Sequence, residues 1–343
     1  MSYVFFMSKK IAVTGGGGFL GRAIIRHCLS RGWQVRAIGR SEQPDLAATP
    51  GVEFIRTDIS GDADALKEIF AGTDLVFHVA AKAGVWGSHK SFFKANVAGT
   101  QNVLDACRAA GVAKLVYTST PSVTFNECEI EGGDETLPYC RSKLSHYAAS
   151  KAEAEQRVRA ADGNSLRTIS IRPHLIWGPG DPHLIPRVVE QAAQSKLRIV
   201  GNGKNKVDLT HIENAAHAHL LAAESLFREE TQACGNAYFV SDGSPVVLWD
   251  WINRFLESIG LSRLRAEAAV PFKAAYFAGT LLETFWKIFA VAGEPPMTRF
   301  VASELSKNHW FKIDAIRRDL GYAPVINPDE AFSDLVNIYK GKS

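Results

Sequence analysis

Short apolar, β-branched runs alternate with stretches of helical periodicity from residue 10 to residue 178. KIAVTG (10–15) reads as a buried strand and GFLGRAIIRHCLSRG (18–32) as a helix stopped by Gly32. WQVRAIG (33–39) and VEFIRTDI (52–59) are further strands, and ADALKEIFAG (63–72) is a helix. DLVFHVAA (74–81), KLVYTST (114–120) and RTISIRPHLIWG (167–178) continue the strands, separated by helices at 96–111 and 147–161. Strands without strict polar alternation, joined through helices, predict a parallel sheet covered on both faces. The expected class is α/β, a doubly wound parallel sheet of the Rossmann type with a smaller C-terminal substrate lobe. In such a sheet the ligand crevice lies beyond the carboxyl ends of the strands.

After WGPGDPHLIP (177–186) the rhythm breaks into longer segments with more Pro, Trp and Phe. The expected division is a nucleotide domain over 1–180, rejoined by 212–240, and a substrate lobe over 181–211 and 241–343. IENAAHAHLLAAESL (212–226) is the helix expected to return. The most apolar stretch, 274–293, has Glu283 and Lys287 within it. It reads first as a helix packed on the lobe's core, and second as a helix lying on a membrane surface.

Composition narrows the partners. The chain has 39 basic and 36 acidic residues for a net +3, so it lacks the basic footprint of a nucleic-acid binder. Five scattered cysteines without C-x-x-C read as reduced thiols and a cytoplasmic protein. MSYVFFMSKK is too short in its apolar run for a signal peptide, and Met7 is a candidate initiator. His211, His217 and His219 lack the spacing and acid or Cys partners of a metal site, and His78 reads as a core residue.

VTGGGGFLG (13–21) joins the first strand to the first helix, with Gly15, Gly18 and Gly21 spaced three apart. That context predicts a pyrophosphate cradle at a helix N-terminus. An acid ending the second strand would hold the ribose hydroxyls of NAD, but Gly39 stands there with Arg40 beside it. A guanidinium suits a 2′-phosphate, so NADP(H) is favoured. Asp58 is a candidate for the adenine amino group.

Residues 138–155, PYCRSKLSHYAASKAEAE, contain Tyr-x-x-x-Lys twice, as Tyr139/Lys143 and Tyr147/Lys151. On a helix, i and i+4 share a face. An ammonium beside a phenol favours phenolate, making the tyrosine a proton carrier for a carbonyl or alcohol. Ser145 is a plausible N-cap for a helix holding the second pair, whereas Pro138 puts the first in a loop. Tyr147/Lys151 is therefore the expected catalytic pair and Tyr139/Lys143 the site's rim.

TGGGGFLG, VFHVAAKAG, NVAGTQNVLDAC, VYTSTPSV, YAASKAEAE, IRPHLIWGPGD and LGYAPVINPDEA together resemble the extended short-chain dehydrogenases/reductases over nearly the whole chain. AAKAGVWGS, GEPPMTRF and WGPGDPHLIPR are similar to the 3β-hydroxysteroid dehydrogenase-related branch, and within it to bacterial 2-alkyl-3-oxoalkanoate reductases of long-chain olefin biosynthesis. The resemblance implies Tyr147 as proton donor, Lys151 as the cation that lowers its pKa and holds the cofactor's ribose, and Thr120 as the hydroxyl polarising the carbonyl, with Ser119 or Ser122 able to share that role. It implies cofactor contacts at Gly15, Gly18, Phe19, Leu20, Gly21, Ile59, Ala80, Ala81, Lys82, Asn96, Thr118 and Pro173. It implies a long-chain branched 3-oxo acid as substrate, its chains against the 272–289 segment and its carboxylate near Lys82 or Arg187. Asp208 and Asn214 fall in a segment bridging the lobes. A homo-oligomer, associated with a β-lactone synthetase and a β-lactone decarboxylase, is the implied assembly. A sterol 3-dehydrogenase, a nucleotide-sugar epimerase and a non-catalytic NADP sensor are the competing readings.

Overall fold

The computed structural model describes residues 8–61 and 63–341. The candidate initiator Met7 lies outside them. Seven parallel strands form the central sheet in the spatial order 237–240, 167–173, 114–118, 75–78, 10–14, 34–39, 52–56. The chain leaves Lys10–Thr14 toward one edge, then restarts on its other side with Leu75–His78. This reversal opens a crevice at the carboxyl ends of those two strands.

Burial on both faces explains the β-branched runs. Ile11 and Val13 join one core with Ala23, Ile24 and the returning helix Ile212–Leu226. Ala12 and Val76 point the other way, into a core with Leu66, Phe70, Val103 and Val158. A third core fills the C-terminal lobe around Trp177, Trp249, Phe255 and Phe332.

The lobe is stitched to the sheet rather than merely appended. Ile130–Gly133 pairs in parallel with His309–Phe311, in a four-stranded sheet that also contains 206–207 and 246–247. Ile316, Leu320 and Tyr322, late in the chain, pack into the first core. Asp208 accepts the Phe311 amide at 2.7 Å. Asn214 accepts the Val325 and Ile326 amides at 2.8 and 3.1 Å while donating to Asp242 at 2.8 Å. Both thus bridge distant segments. Among the described residues, no helix is long and apolar enough to cross a membrane.

Candidate active site

The glycine loop is shaped by close approach. Gly15 has φ +70°, and a Cβ there would lie 2.8 Å from the Ala80 amide nitrogen. A Cβ on Gly21 would lie 2.2 Å from the Gly15 carbonyl oxygen. Only glycine permits this turn, which presents the N-terminus of the Phe19–Ser30 helix to the crevice. A cleft of about 590 Å³ runs from here along the strand ends. Gly15, Gly18, Phe19, Leu20 and Gly21 line one end of it.

At the adenosine end, Arg40, Asp58 and Ile59 line the cleft. Arg40 is exposed at the lip. The Asp58 carboxylate accepts the Ser60 amide and hydroxyl, both at 2.9 Å, and these bonds hold it below its ordinary range. Ser41 and Gln43 also line this end and escaped the sequence reading. Arg22 braces them. Its guanidinium donates to the Gly17 carbonyl at 3.1 Å, to the Gln43 amide oxygen, and to Asp45 at 2.5 Å. Its only signal was a cation in the first turn after a glycine loop.

Beneath the middle of the cleft, Ala80, Ala81 and Lys82 continue from the fourth strand. Thr14 Oγ1 accepts the Val79 and Ala80 amides, each at 3.2 Å, and bonds His78 Nδ1 at 2.8 Å. His78 Nε2 reaches Thr100 Oγ1 at 2.9 Å, and Thr100 donates to the Asn96 carbonyl at 2.6 Å. Burial lowers the His78 pKa to about 3, so the ring is a neutral strut. Asn96 does not line the cleft. It sits in a π-helical segment, Phe93–Ala98, and grips Lys82 from behind, accepting its amide at 2.7 Å and donating to its carbonyl at 3.0 Å. The widened turn is what aims it there.

The far end holds Thr118, Thr120, Tyr147, Lys151 and Pro173, all lining the cleft, with Ser119 but without Ser122. Ser145 caps the His146–Ala160 helix, accepting the Ala148 amide at 3.1 Å. The cap starts the helix just before Tyr147, so Lys151 follows one turn later. The Thr120 hydroxyl donates to Ser122 Oγ at 3.3 Å. Burial pushes the Tyr147 phenol up, and the neighbouring Thr120 hydroxyl draws it back in part. Lys151 Nζ is turned to the Thr118 carbonyl at 2.6 Å. The ammonium sits 4.2 Å from the Tyr117 ring centroid, and burial lowers its pKa to about 7 against the opposing charge of Glu155. His219, on the returning helix, supports the same spot. Its Nδ1 bonds the Ala215 carbonyl at 2.7 Å, leaving Nε2 to accept from Thr118 Oγ1 at 2.8 Å.

Tyr139 lies elsewhere, and the rim assignment is corrected. Its hydroxyl donates to Glu155 at 2.7 Å, outside the residues lining the cleft. Glu155 is fully buried and held by Arg172 through bonds of 2.9 and 2.5 Å. A buried carboxylate requires such partners, and Tyr139 is one of them. Arg187 is likewise absent from the cleft and faces Glu294 at 3.5 Å. Lys82 remains in it, donating to Ser91 at 3.0 Å. The GPGD motif serves locally: Asp181 accepts the amides of His183, Leu184 and Ile185, starting the Leu184–Ala193 helix at the cleft's lip.

A glycine cradle that any Cβ would fill, a helix N-terminus, and a cation at the adenosine end together fit a dinucleotide. The opposite end offers a proton carrier, a polarising hydroxyl and a buried cation, the parts needed to reduce a carbonyl or oxidise an alcohol.

Comparison with known proteins agrees with this geometry. Residues 12–270 match the 3-beta hydroxysteroid dehydrogenase/isomerase family. The chain is 49% identical over 329 residues to a 2-alkyl-3-oxoalkanoate reductase of Stenotrophomonas maltophilia, covering 95% of this chain and 98% of that one. It is 32% identical over 337 residues to the decarboxylating sterol-4-alpha-carboxylate 3-dehydrogenase of Mus musculus, covering 97% and 91%. In fold it is similar to the UDP-glucuronic acid 4-epimerase of Bacillus cereus in complex with UDP-glucuronic acid and NAD. There the TM-score is 0.74 at 22% identity, over 97% of this chain and all of that one.

Proposed function

The chain belongs to the 3-beta hydroxysteroid dehydrogenase/isomerase family, an NAD(P)-dependent oxidoreductase, and on that premise we propose that it reduces a 2-alkyl-3-oxoalkanoic acid to the 3-hydroxy acid with NADPH. The observation carrying the reading is the convergence of Tyr147, Thr120 and Lys151 on one end of a cleft whose other end is a phosphate cradle. The name of the relative at 49% identity supplies the substrate class.

The cofactor, when bound, supplies hydride to the carbonyl carbon. Gly15, Gly18 and Gly21 hold its pyrophosphate through backbone amides and the helix dipole. Phe19, Leu20 and Ile59 flank it, and Arg40 holds a 2′-phosphate beside Gly39. Ala80, Ala81, Lys82 and Pro173 line its path, with Asn96 acting through Lys82. Tyr147 donates its proton to the developing alkoxide. A phenol raised by burial keeps that proton at neutral pH until negative charge appears on the substrate oxygen. Thr120 donates to the same oxygen, and Lys151, held by Thr118, supplies positive charge behind the phenol. Lys82 is the cleft's candidate partner for the substrate carboxylate.

On the same reading the enzyme works in the cytoplasm as a homo-oligomer. A role in long-chain olefin biosynthesis, which the motif resemblance implies, would place it beside a β-lactone synthetase and a β-lactone decarboxylase. The second reading, a sterol-4-carboxylate 3-dehydrogenase, is favoured by the 32% identity spanning 97% of the chain. A panel of a synthetic 2-alkyl-3-oxo acid and a 4-carboxysterol, each with NADPH/NADP and NADH/NAD, separates the two. The proposal expects turnover of the branched acid with NADPH. Turnover of the sterol alone, with NAD, would replace it with the second reading.

A further inference from the structure

In the helix Phe272–Ile288 the buried positions are Ala275, Gly279 and Glu283, four residues apart, with Phe272 and Tyr276 half-buried beside them against the lobe's core. Gly279 packs so closely that a Cβ would lie 2.7 Å from the Thr298 carbonyl carbon. Glu283 accepts the Arg299 amide at 2.7 Å and its guanidinium at 3.0 and 2.7 Å, which fixes the rotation of the helix about its own axis. The opposite face carries large apolar side chains that stay exposed. Phe277 is 64% exposed, Leu281 56%, Phe285 50% and Ile288 70%, with Phe289 just beyond at 64%. A monomer in water selects the reverse arrangement, and a contiguous exposed stripe of this kind marks an interaction surface.

Charge decides the partner. Glu283 is the only acid in this helix, and it is buried and neutralised by Arg299. The helix's two cations, Lys273 and Lys287, are exposed at its two ends, and neither forms an ion pair among the described residues. An apolar stripe of about four turns bracketed by uncompensated cations is the pattern of a helix lying in the headgroup layer of an anionic bilayer. The helix is not one that spans it. Its C-terminal end also abuts the loop that leaves the cleft. Lys287 Nζ stands 5.7 Å from the Trp86 ring centroid, four residues beyond Lys82, and Glu294 approaches Gly84 in the same loop.

We propose that Phe277, Leu281, Phe285, Ile288 and Phe289 dock the protein peripherally on an anionic lipid surface, with Lys273 and Lys287 engaging its headgroups. The docked loop would bring the cleft close to where long-chain amphiphiles reside. Vesicle binding itself needs no turnover, so this proposal and the substrate assignment fail separately.

The test is co-sedimentation of the full chain with vesicles of phosphatidylcholine alone and of phosphatidylcholine with phosphatidylglycerol. Binding to the anionic vesicles is expected to exceed binding to the neutral ones. The exposed double variant Phe285→Ser/Ile288→Ser should bind at least about tenfold more weakly. Lys273→Gln/Lys287→Gln should lose roughly fivefold per lysine on anionic vesicles only. Circular dichroism and NADPH binding report that the variants are folded. Absence of wild-type binding to either vesicle overturns the proposal, as does equal binding by the serine variant. A wild-type dimer that the serine variant splits, without vesicle binding, would reassign the stripe to an interface between copies of this chain.

Discussion

Lys151 is a buried cation that the folded state carries at a cost, and Lys151→Met should reveal it. Burial lowers the ammonium's pKa from an ordinary 10.5 to about 7. Between those values the unfolded chain binds one more proton than the folded chain, so stability rises with pH. At pH 7 the difference amounts to about 4 kcal/mol against folding. Methionine fills a similar volume without charge, but forfeits the bond to the Thr118 carbonyl, worth about 1 kcal/mol. The variant should therefore be more stable than wild type by about 2–3 kcal/mol at pH 7. The gain should shrink by up to about 1.4 kcal/mol per pH unit as pH climbs from 7 toward 10. Urea unfolding of both proteins at several pH values in that window measures the difference directly. Groups common to both cancel from the comparison. Parallel stability curves for the two proteins would refute the claim that Lys151 is strained by burial. The same substitution should remove activity, because the stability gained is that of the charge the site needs.

Gly39→Asp should shift cofactor preference toward NADH by at least about tenfold in kcat/KM, read in parallel assays with both cofactors. A Cβ at position 39 meets nothing closer than the Phe54 ring at 3.4 Å, an ordinary contact, so the backbone there accepts a side chain. Tyr139→Phe should keep most of the activity and lose about 1–2 kcal/mol of stability, since it strips one donor from buried Glu155. Arg172→Leu leaves that carboxylate without its ion pair and should cost about 3–5 kcal/mol in urea unfolding. Asn96→Ala should raise KM for the cofactor and leave its NADPH/NADH ratio unchanged, because Asn96 holds the Lys82 backbone and lies far in sequence from Gly39 and Arg40.

The parts of the site legible in the sequence are those whose local chain chemistry dictates their geometry. Four glycines between a strand and a helix leave few other conformations, and Ser145 sets the phase of Tyr147 and Lys151 by a single cap bond. The neighbours of that helix were not legible. Nothing in the spacing of Glu155 and Arg172 announces that they meet in the core, or that Tyr139 completes the pair. That Asn96 holds the Lys82 backbone depends on one widened turn, a backbone feature without a residue code. The pairing of 130–133 with 309–311 joins segments about half the length of the chain apart, beyond the reach of local periodicity. The 272–288 helix packs on the lobe's core through Phe272, Ala275 and Tyr276, as its hydrophobicity predicted. Which large side chains stay outside was not legible, because Gly279 and Glu283 set the helix's rotation by close approach and an ion pair.

Catalysis by Tyr147, and not by the neighbouring copy of its motif, is the claim on which the functional account stands. Its most direct test is the rate of NADPH oxidation with a 2-alkyl-3-oxo acid by wild type and Tyr147→Phe, alongside the NADPH dissociation constant of each. The account predicts a fall in kcat of about 10²–10⁴-fold with cofactor affinity nearly unchanged. Undiminished turnover by Tyr147→Phe, with or without loss in Tyr139→Phe, would contradict it.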